Sequence, residues 1–177
     1  MKILQGDDVY LRRLAREDLS RTLPWINDEE IMVIMGVRGP RNREMQEDWF
    51  ENLKTREDNI VFAICLNESD VHIGNVSLFD IDHVDSNAGL TVFIGDEENR
   101  GSGFGTEAVE LLLRYAFDYL NLHKVYCKTN AENPAVGLYK NIGFKQEGML
   151  REQSYEYGEY VDKIKMGILA REFDHSC

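Results

Sequence analysis

Residues 100–106 read Arg100-Gly101-Ser102-Gly103-Phe104-Gly105-Thr106, an arginine followed by three glycines at every second position. Glycine lets a backbone reach positive φ and come close to a ligand. Just ahead, Thr91-Val92-Phe93-Ile94-Gly95 alternates β-branched and aromatic residues, the pattern of a buried strand. Beyond the loop, Ala108, Val109, Leu112, Leu113, Ala116, Phe117 and Leu120 recur at helical spacing, so a helix opens out of the glycines. Its first N–H groups have no partner within the helix, and the helix dipole adds partial positive charge there. Together these make a cradle for an anion, best suited to a phosphate or pyrophosphate. The alternative is a glycine-rich connection that binds nothing. The spacing fits neither the dinucleotide fingerprint, whose third glycine comes one place later, nor a P-loop, which needs Gly-Lys-Ser/Thr.

A second constellation lies downstream. Asn133-Pro134-Ala135-Val136-Gly137-Leu138-Tyr139-Lys140-Asn141-Ile142-Gly143-Phe144 reads as a short helix. Asn133 can cap it, Pro134 suits its first position and Gly143 ends it. Taken together, the two stretches carry a resemblance. Arg100-x-x-Gly103-x-Gly105 between strand and helix resembles the acyl-CoA pyrophosphate loop of the GNAT N-acetyltransferases. The Asn133–Phe144 stretch resembles that family's second signature, an Asn-led helix carrying Leu-Tyr and closing in Gly-Phe. The two stand in the expected order and separation, and the resemblance runs from about residue 9 to about residue 169. It is nearest to the ribosomal-protein N-terminal acetyltransferases and the spermidine N-acetyltransferases, which Asp80-Ile81-Asp82-His83-Val84 and Gly158-Glu159-Tyr160-Val161-Asp162 also look like.

The elements that must position these stretches follow in order. Residues 9–14 alternate as a first strand, and Arg16-Glu17-Asp18-Leu19 starts a helix with acids in its first turn, where the dipole favours them. Residues 29–35 can form a second short helix. Residues 36–43, with two glycines, a proline, Arg38, Arg41 and Arg43, are a loop that either flanks a site or is a solvated connection. Met45, Trp49 and Leu53, with Phe50, give a third helix its core face. Strands at 59–66 and 71–80 form a hairpin, 88–95 is the central strand and 124–129 another. Late strands occupy 144–150, 155–157 and 160–169. The expected fold is α/β (mixed α+β) in one domain over 1–177. It has a GNAT-like, mostly antiparallel mixed sheet of about seven strands flanked by helices.

Composition narrows the classes. The chain has 177 residues, 43% hydrophobic and 29% charged, ordinary for one globular domain. No apolar run is long enough for a membrane span, and Met1-Lys2-Ile3 does not begin a signal peptide. Cys65, Cys127 and Cys177 lack metal-ligand spacing and read as reduced thiols of a cytoplasmic protein, the first two as core residues. Twenty Lys and Arg against 32 Asp and Glu give a net charge of −12. That balance disfavours nucleic acid; it attracts cationic amines or simply keeps the protein soluble.

The resemblance implies transfer of the acetyl group of acetyl-CoA to a primary amine (polyamine, protein N-terminus or aminosugar), with no metal. It assigns the pyrophosphate to the N–H groups of Arg100, Gly101, Ser102, Gly103, Phe104, Gly105 and Thr106 and to the Arg100 side chain, with Asn133 as a further contact or only a helix cap. It places the pantetheine against Val92, Phe93 and Ile94. Tyr139 becomes the general acid for the departing thiolate. An ammonium of pKa about 10.4 costs about 4.6 kcal/mol to neutralise at pH 7, so a base is expected. Where related enzymes carry a glutamate this chain has Gly89, which leaves Asp80 as the first candidate for base or amine contact. The acidic balance and Asp80 suit a polyamine. Arg38, Arg41 and Arg43 suit an acceptor bearing a carboxylate or phosphate, unless they are solvated or paired with Glu44, Glu47 and Asp48. A non-catalytic acyl-CoA-binding module and a nucleotide-binding domain are the other readings, and an exposed late strand could pair across a homodimer or larger homo-oligomer.

Overall fold

A computed structural model describes residues 4–174; Met1, Lys2, Ile3 and Cys177 lie outside the described residues. Strands β1 (Leu4–Gln5) and β2 (Val9–Arg13) come first. They are followed by helices α1 (Leu19–Ile26), α2 (Glu29–Met35) and α3 (Arg43–Thr55). Strands β3 (Ile60–Leu66), β4 (His72–Asp82) and β5 (Asn87–Ile94) form a meander, and helix α4 (Phe104–Arg114) runs into a π-helical turn at Tyr115–Tyr119. Strand β6 (Lys124–Asn130), helix α5 (Ala135–Ile142) and the hairpin of β7 (Lys145–Glu156) and β8 (Glu159–Leu169) complete the described residues.

The strands form one sheet in the order β1-β2-β3-β4-β5-β6-β8-β7. Every neighbouring pair is antiparallel except β5 and β6. The described residues thus hold eight strands in a mixed, mostly antiparallel sheet. The two-residue β1 is too short to show periodicity. Residues 145–156 run as one strand through two register shifts rather than as two strands. The β7–β8 turn has positive φ at both Tyr157 and Gly158, as a tight hairpin requires.

Alternation along the strands sends side chains to two faces. Phe62, Ile64, Leu78 and Leu90 pack with Val109, Leu112 and Leu113 of α4. Val61, Ala63 and Cys65 face the other way, onto Leu19 and Phe50 of α1 and α3. Helix α2 is set by Asp28, whose side chain accepts from the Ile31 N–H, and it ends at Gly36 with φ 64°. In α3 the buried face is Gln46 and Phe50, with Trp49 and Leu53 at its margin, and Met45 is 42% exposed. Trp49, Phe50 and Leu53 thus pack as expected, and Met45, in the first turn after the Asn42 cap, is the exception. Cys65 and Cys127 are buried free thiols. Burial raises both, Cys127 to about 12, so neither forms a thiolate near neutrality.

Candidate functional site

The sheet parts at its one parallel pair. β5 meets β6 only through Asn87, Ala88 and Gly89, opposite Lys124, Val125 and Tyr126. It stays bonded to β4 as far as Ile94. From Leu90 to Phe93 the β6-facing edge of β5 has no strand partner among the described residues, which leaves backbone groups free for a ligand. A cleft of about 510 Å³ opens beside this edge. Val92, Phe93 and Ile94 line it, as do Arg100, Gly101, Gly103, Gly105 and Thr106 of the glycine loop. Glu30, Ile31 and Ile34 of α2, Ala135, Leu138 and Asn141 of α5, and Asn99 and Pro134 supply the remaining walls. The α5 residues belong to the Asn133–Phe144 stretch quoted above, without a role assigned to them; Ile31 and Ile34 were not expected at the site, although their three-residue spacing on a short helix was visible.

The loop offers backbone donors. Gly101 and Gly103 have φ of 77° and 88°, which glycine adopts without strain. The Arg100 N–H is bonded to the Glu97 carbonyl and the Thr106 N–H to the Gly103 carbonyl. The N–H groups available to an anion are therefore those between them. Ser102 and Phe104 do not line the cleft. Ser102 opens onto a neighbouring groove beside Asp7 and Asp8, and Phe104 packs on the core. The Arg100 side chain works on the backbone instead of standing free. Its Nε donates to the Ile94 carbonyl at 3.0 Å and Nη2 to the Gly95 carbonyl at 3.3 Å, while Nη1 meets Glu30 Oε2 at 3.3 Å. It pins the loop to the end of β5. The helix start adds partial positive charge beside that of the Arg100 guanidinium, which also lines the cleft.

The other expected site residues fall in different places. Tyr139 on α5 is buried, 5% exposed, with its ring against Phe144, and it is not among the residues lining the cleft or the pocket described next. Burial pushes its phenol well above the ordinary value, with a smaller contribution from Cys127, so it stays protonated at neutral pH. Asn133 caps α5, its side chain accepting from the Ala135 N–H at 2.8 Å, and it lies outside the cleft wall. Asp80 is exposed, with φ 50° at the irregular end of β4, and lines neither this cleft nor the pocket described next. Asp82 instead caps its own turn through the Val84 and Asp85 N–H groups. Gly89 has no room for a side chain, since a Cβ there would run into the ring of Phe79.

A second pocket, about 250 Å³, lies on the α1–α3 face of the sheet. Asn75 and Ser77 of β4 and Thr91 and Phe93 of β5 form its floor, under Met35, Arg41, Gln46 and Trp49. Phe93 lines both this pocket and the cleft. Behind the floor lies a buried polar chain. His72 Nε2 is 2.9 Å from the Gly74 carbonyl and 2.8 Å from Asn75 Oδ1. His72 Nδ1 is 3.4 Å from Asp18, which takes two 2.7 Å bonds from Arg12 and one from the Ala15 N–H. Burial alone would raise the Asp18 carboxyl, but these partners hold it well below the usual carboxylate range. The signal for this pocket is a polar residue at every second position of an otherwise apolar strand, Asn75 and Ser77, on the face that Thr91 shares across the ladder.

The geometry suits an acyl carrier: a split parallel pair, a glycine loop at a helix start, and a second pocket that shares Phe93 of β5 with the first. Comparison with known proteins agrees. Residues 8–145 match the acetyltransferase (GNAT) domain family. A prophage-derived N-acetyltransferase of Bacillus subtilis strain 168 is 30% identical over 96% of this chain and 94% of its own. The spermidine N(1)-acetyltransferase of Escherichia coli K12 is 29% identical over 93% of this chain and 88% of its own. The crystal structure of spermidine N-acetyltransferase from Vibrio cholerae in complex with CoA and spermine superposes with a TM-score of 0.89 at 30% identity. That match covers 94% of this chain and 98% of that one. The chain belongs to the GNAT acetyltransferase family. It is an acetyl-CoA-dependent N-acetyltransferase that delivers the acetyl group to a primary amine.

Proposed function

We propose that this chain acetylates its amine by direct attack across β5, with acetyl-CoA in the cleft and the amine in the pocket on the α1–α3 face. The observation that carries this reading is the parting of β5 from β6 beyond Gly89, with the two cavities sharing Phe93. Direct attack needs both substrates at one point, and Phe93 is where the two cavities meet. Relatives named for spermidine make polyamines the reference acceptors, and peptide N-termini and aminosugars follow.

In the step itself the amine nitrogen bonds to the thioester carbon, the C–S bond breaks and the sulfur leaves as thiolate. The free edge of β5 holds the thioester arm, and its N–H groups stabilise the carbonyl oxygen as charge develops there. Tyr139 serves the departing sulfur. Its hydroxyl has no hydrogen-bond partner among the described residues, and its raised phenol keeps the hydrogen in place for donation. The described residues lining the amine pocket include no carboxylate and no imidazole. Solvent therefore takes the ammonium proton before attack. Asp80, outside both cavities, is not the base on this reading.

The test is release of free CoA thiol with spermidine, an N-terminal peptide mixture and aminosugars, for wild type beside Tyr139→Phe. The expected result is amine-dependent release that falls at least about tenfold in the variant while acetyl-CoA binding is kept. Unchanged turnover in Tyr139→Phe removes Tyr139 from the step. No release with any amine, despite acetyl-CoA binding, points to a binding module.

A further inference from the structure

Arg41 separates from the other two arginines of its loop. Arg43 pairs with Glu47 within α3, and Arg38 donates to the Tyr155 carbonyl. Arg41 is half-buried and lines the pocket on the α1–α3 face, and among the described residues its guanidinium has no hydrogen-bond or ion-pair partner. Its backbone is held at two points: its N–H donates to Asn27 Oδ1 at 2.7 Å, and Asn27 Nδ2 donates to its carbonyl at 2.9 Å. An arginine fixed by its backbone, left unpaired and set in a pocket wall is a receptor for an oxyanion.

The floor of the pocket points the same way. The Gly74 carbonyl can only accept, so His72 Nε2 carries a hydrogen, shared with Asn75 Oδ1. Asn75 therefore turns its NH₂, a donor, to the pocket it lines. No carboxylate among the described residues lines this space. The acid behind it, Asp18, is already committed to Arg12 and the Ala15 N–H. A second ammonium placed here would lose water, face Arg41 and find no counter-ion.

Building on the direct-attack reading above, we infer that the acceptor is a primary amine carrying an oxyanion, a carboxylate or phosphate, at its far end, bound by Arg41, and not a polyamine. The amine sits at the Thr91–Phe93 side of the pocket, the oxyanion at Arg41, and an apolar body lies between them against Met35 and Trp49.

The experiment compares four acceptors by thiol release: 6-aminohexanoate, an aminoalkyl phosphate of similar length, hexylamine and spermidine. Binding of each is read separately, without acetyl-CoA, as quenching of tryptophan fluorescence, since Trp49 is in the pocket wall. Wild type is expected to prefer one of the two oxyanion-bearing amines over spermidine by about tenfold or more in kcat/KM, and their ratio distinguishes carboxylate from phosphate. Arg41→Ala should remove about tenfold from that acceptor and abolish its advantage over hexylamine; Arg41→Lys should restore only part, because the planar fork is lost. Spermidine as the best acceptor of wild type overturns the inference, as does an oxyanion preference unchanged in Arg41→Ala. Oxyanion-dependent quenching with no thiol release from any amine overturns the transfer reading and leaves the anion site standing. Absence of both overturns the two together.

Discussion

Replacing Gly74 by alanine tests whether the β4–β5 contact sets the free edge of β5. Gly74 lies opposite Ile94 in the ladder. A Cβ added there would press into the Phe93 carbonyl oxygen, 2.9 Å from Ile94 Cα and 3.2 Å from Ile94 Cδ1. The first two are backbone atoms, so no rotamer change relieves them. Comfortable contact needs about 3.5 Å, and β5 must retreat by roughly 1 Å. Overpacking of this kind costs about 1–3 kcal/mol. The strand end that moves also carries the Ile94 and Gly95 carbonyls that hold Arg100, so the glycine loop shifts with it. A misplacement of about 1 Å in positioning groups can cost on the order of 100-fold in rate. Urea unfolding reads the first effect and kcat/KM for acetyl-CoA, by thiol release, the second. Gly148→Ala is the control, since nothing lies within 4 Å of that position; it should stay within about 0.5 kcal/mol of wild type. If Gly74→Ala keeps both stability and kcat/KM, the close approach does not set the edge. Lost stability with unchanged kcat/KM refutes the functional half alone.

The absence of a carboxylate or imidazole among the described pocket walls predicts that kcat/KM for an alkyl amine rises about tenfold per pH unit between about pH 6 and 9, tracking free amine of pKa about 10.4; a plateau below pH 9 would reveal a base on the enzyme. Asp18→Asn leaves Arg12 without its two-point partner and should destabilise the fold by about 3 kcal/mol in urea titration. The Asp18 carboxyl is depressed in the folded state, so its stabilisation is present above about pH 4 and lost as pH falls below that. Wild type should therefore weaken below pH 4 more steeply than Asp18→Asn, and parallel acid titrations would count against the network. Gly137, inside α5 with open space around it, should gain about 0.5–1 kcal/mol on change to alanine; a loss would mean that its surroundings are not open.

Local chemistry made much of this protein legible in its sequence. The alternation of residues 91–95, the glycines at 101, 103 and 105 and the helical spacing from Ala108 onward specify a strand, an anion loop and a helix from neighbouring residues alone. The Asn133 cap and the Gly143 stop are equally local, and the structure keeps both. Family likeness carried over the acetyl-CoA chemistry through two short signatures. Tertiary structure decided what depends on residues distant in the chain. Arg100 lines the cleft with the glycines, but its guanidinium is also held by the Ile94 and Gly95 carbonyls and Glu30, and only the return of α2 beside β5 brings Glu30 there. Asp80 was the first candidate for base or amine contact from its place at a strand end, yet the irregular end of β4 leaves it exposed and lining neither cavity. The loop of three arginines had two readings in sequence, because a charged run looks the same whether solvated or binding. Packing separates the three: Arg43 meets Glu47 and Arg38 the Tyr155 carbonyl, while Arg41, with no side-chain partner among the described residues, lines a pocket whose floor is drawn from β4 and β5. Propensity, capping and turn chemistry act over a few residues, so a sequence displays them directly. Which side chain meets which counter-charge depends on loop closure over tens of residues, and that is settled only when the sheet and its helices assemble.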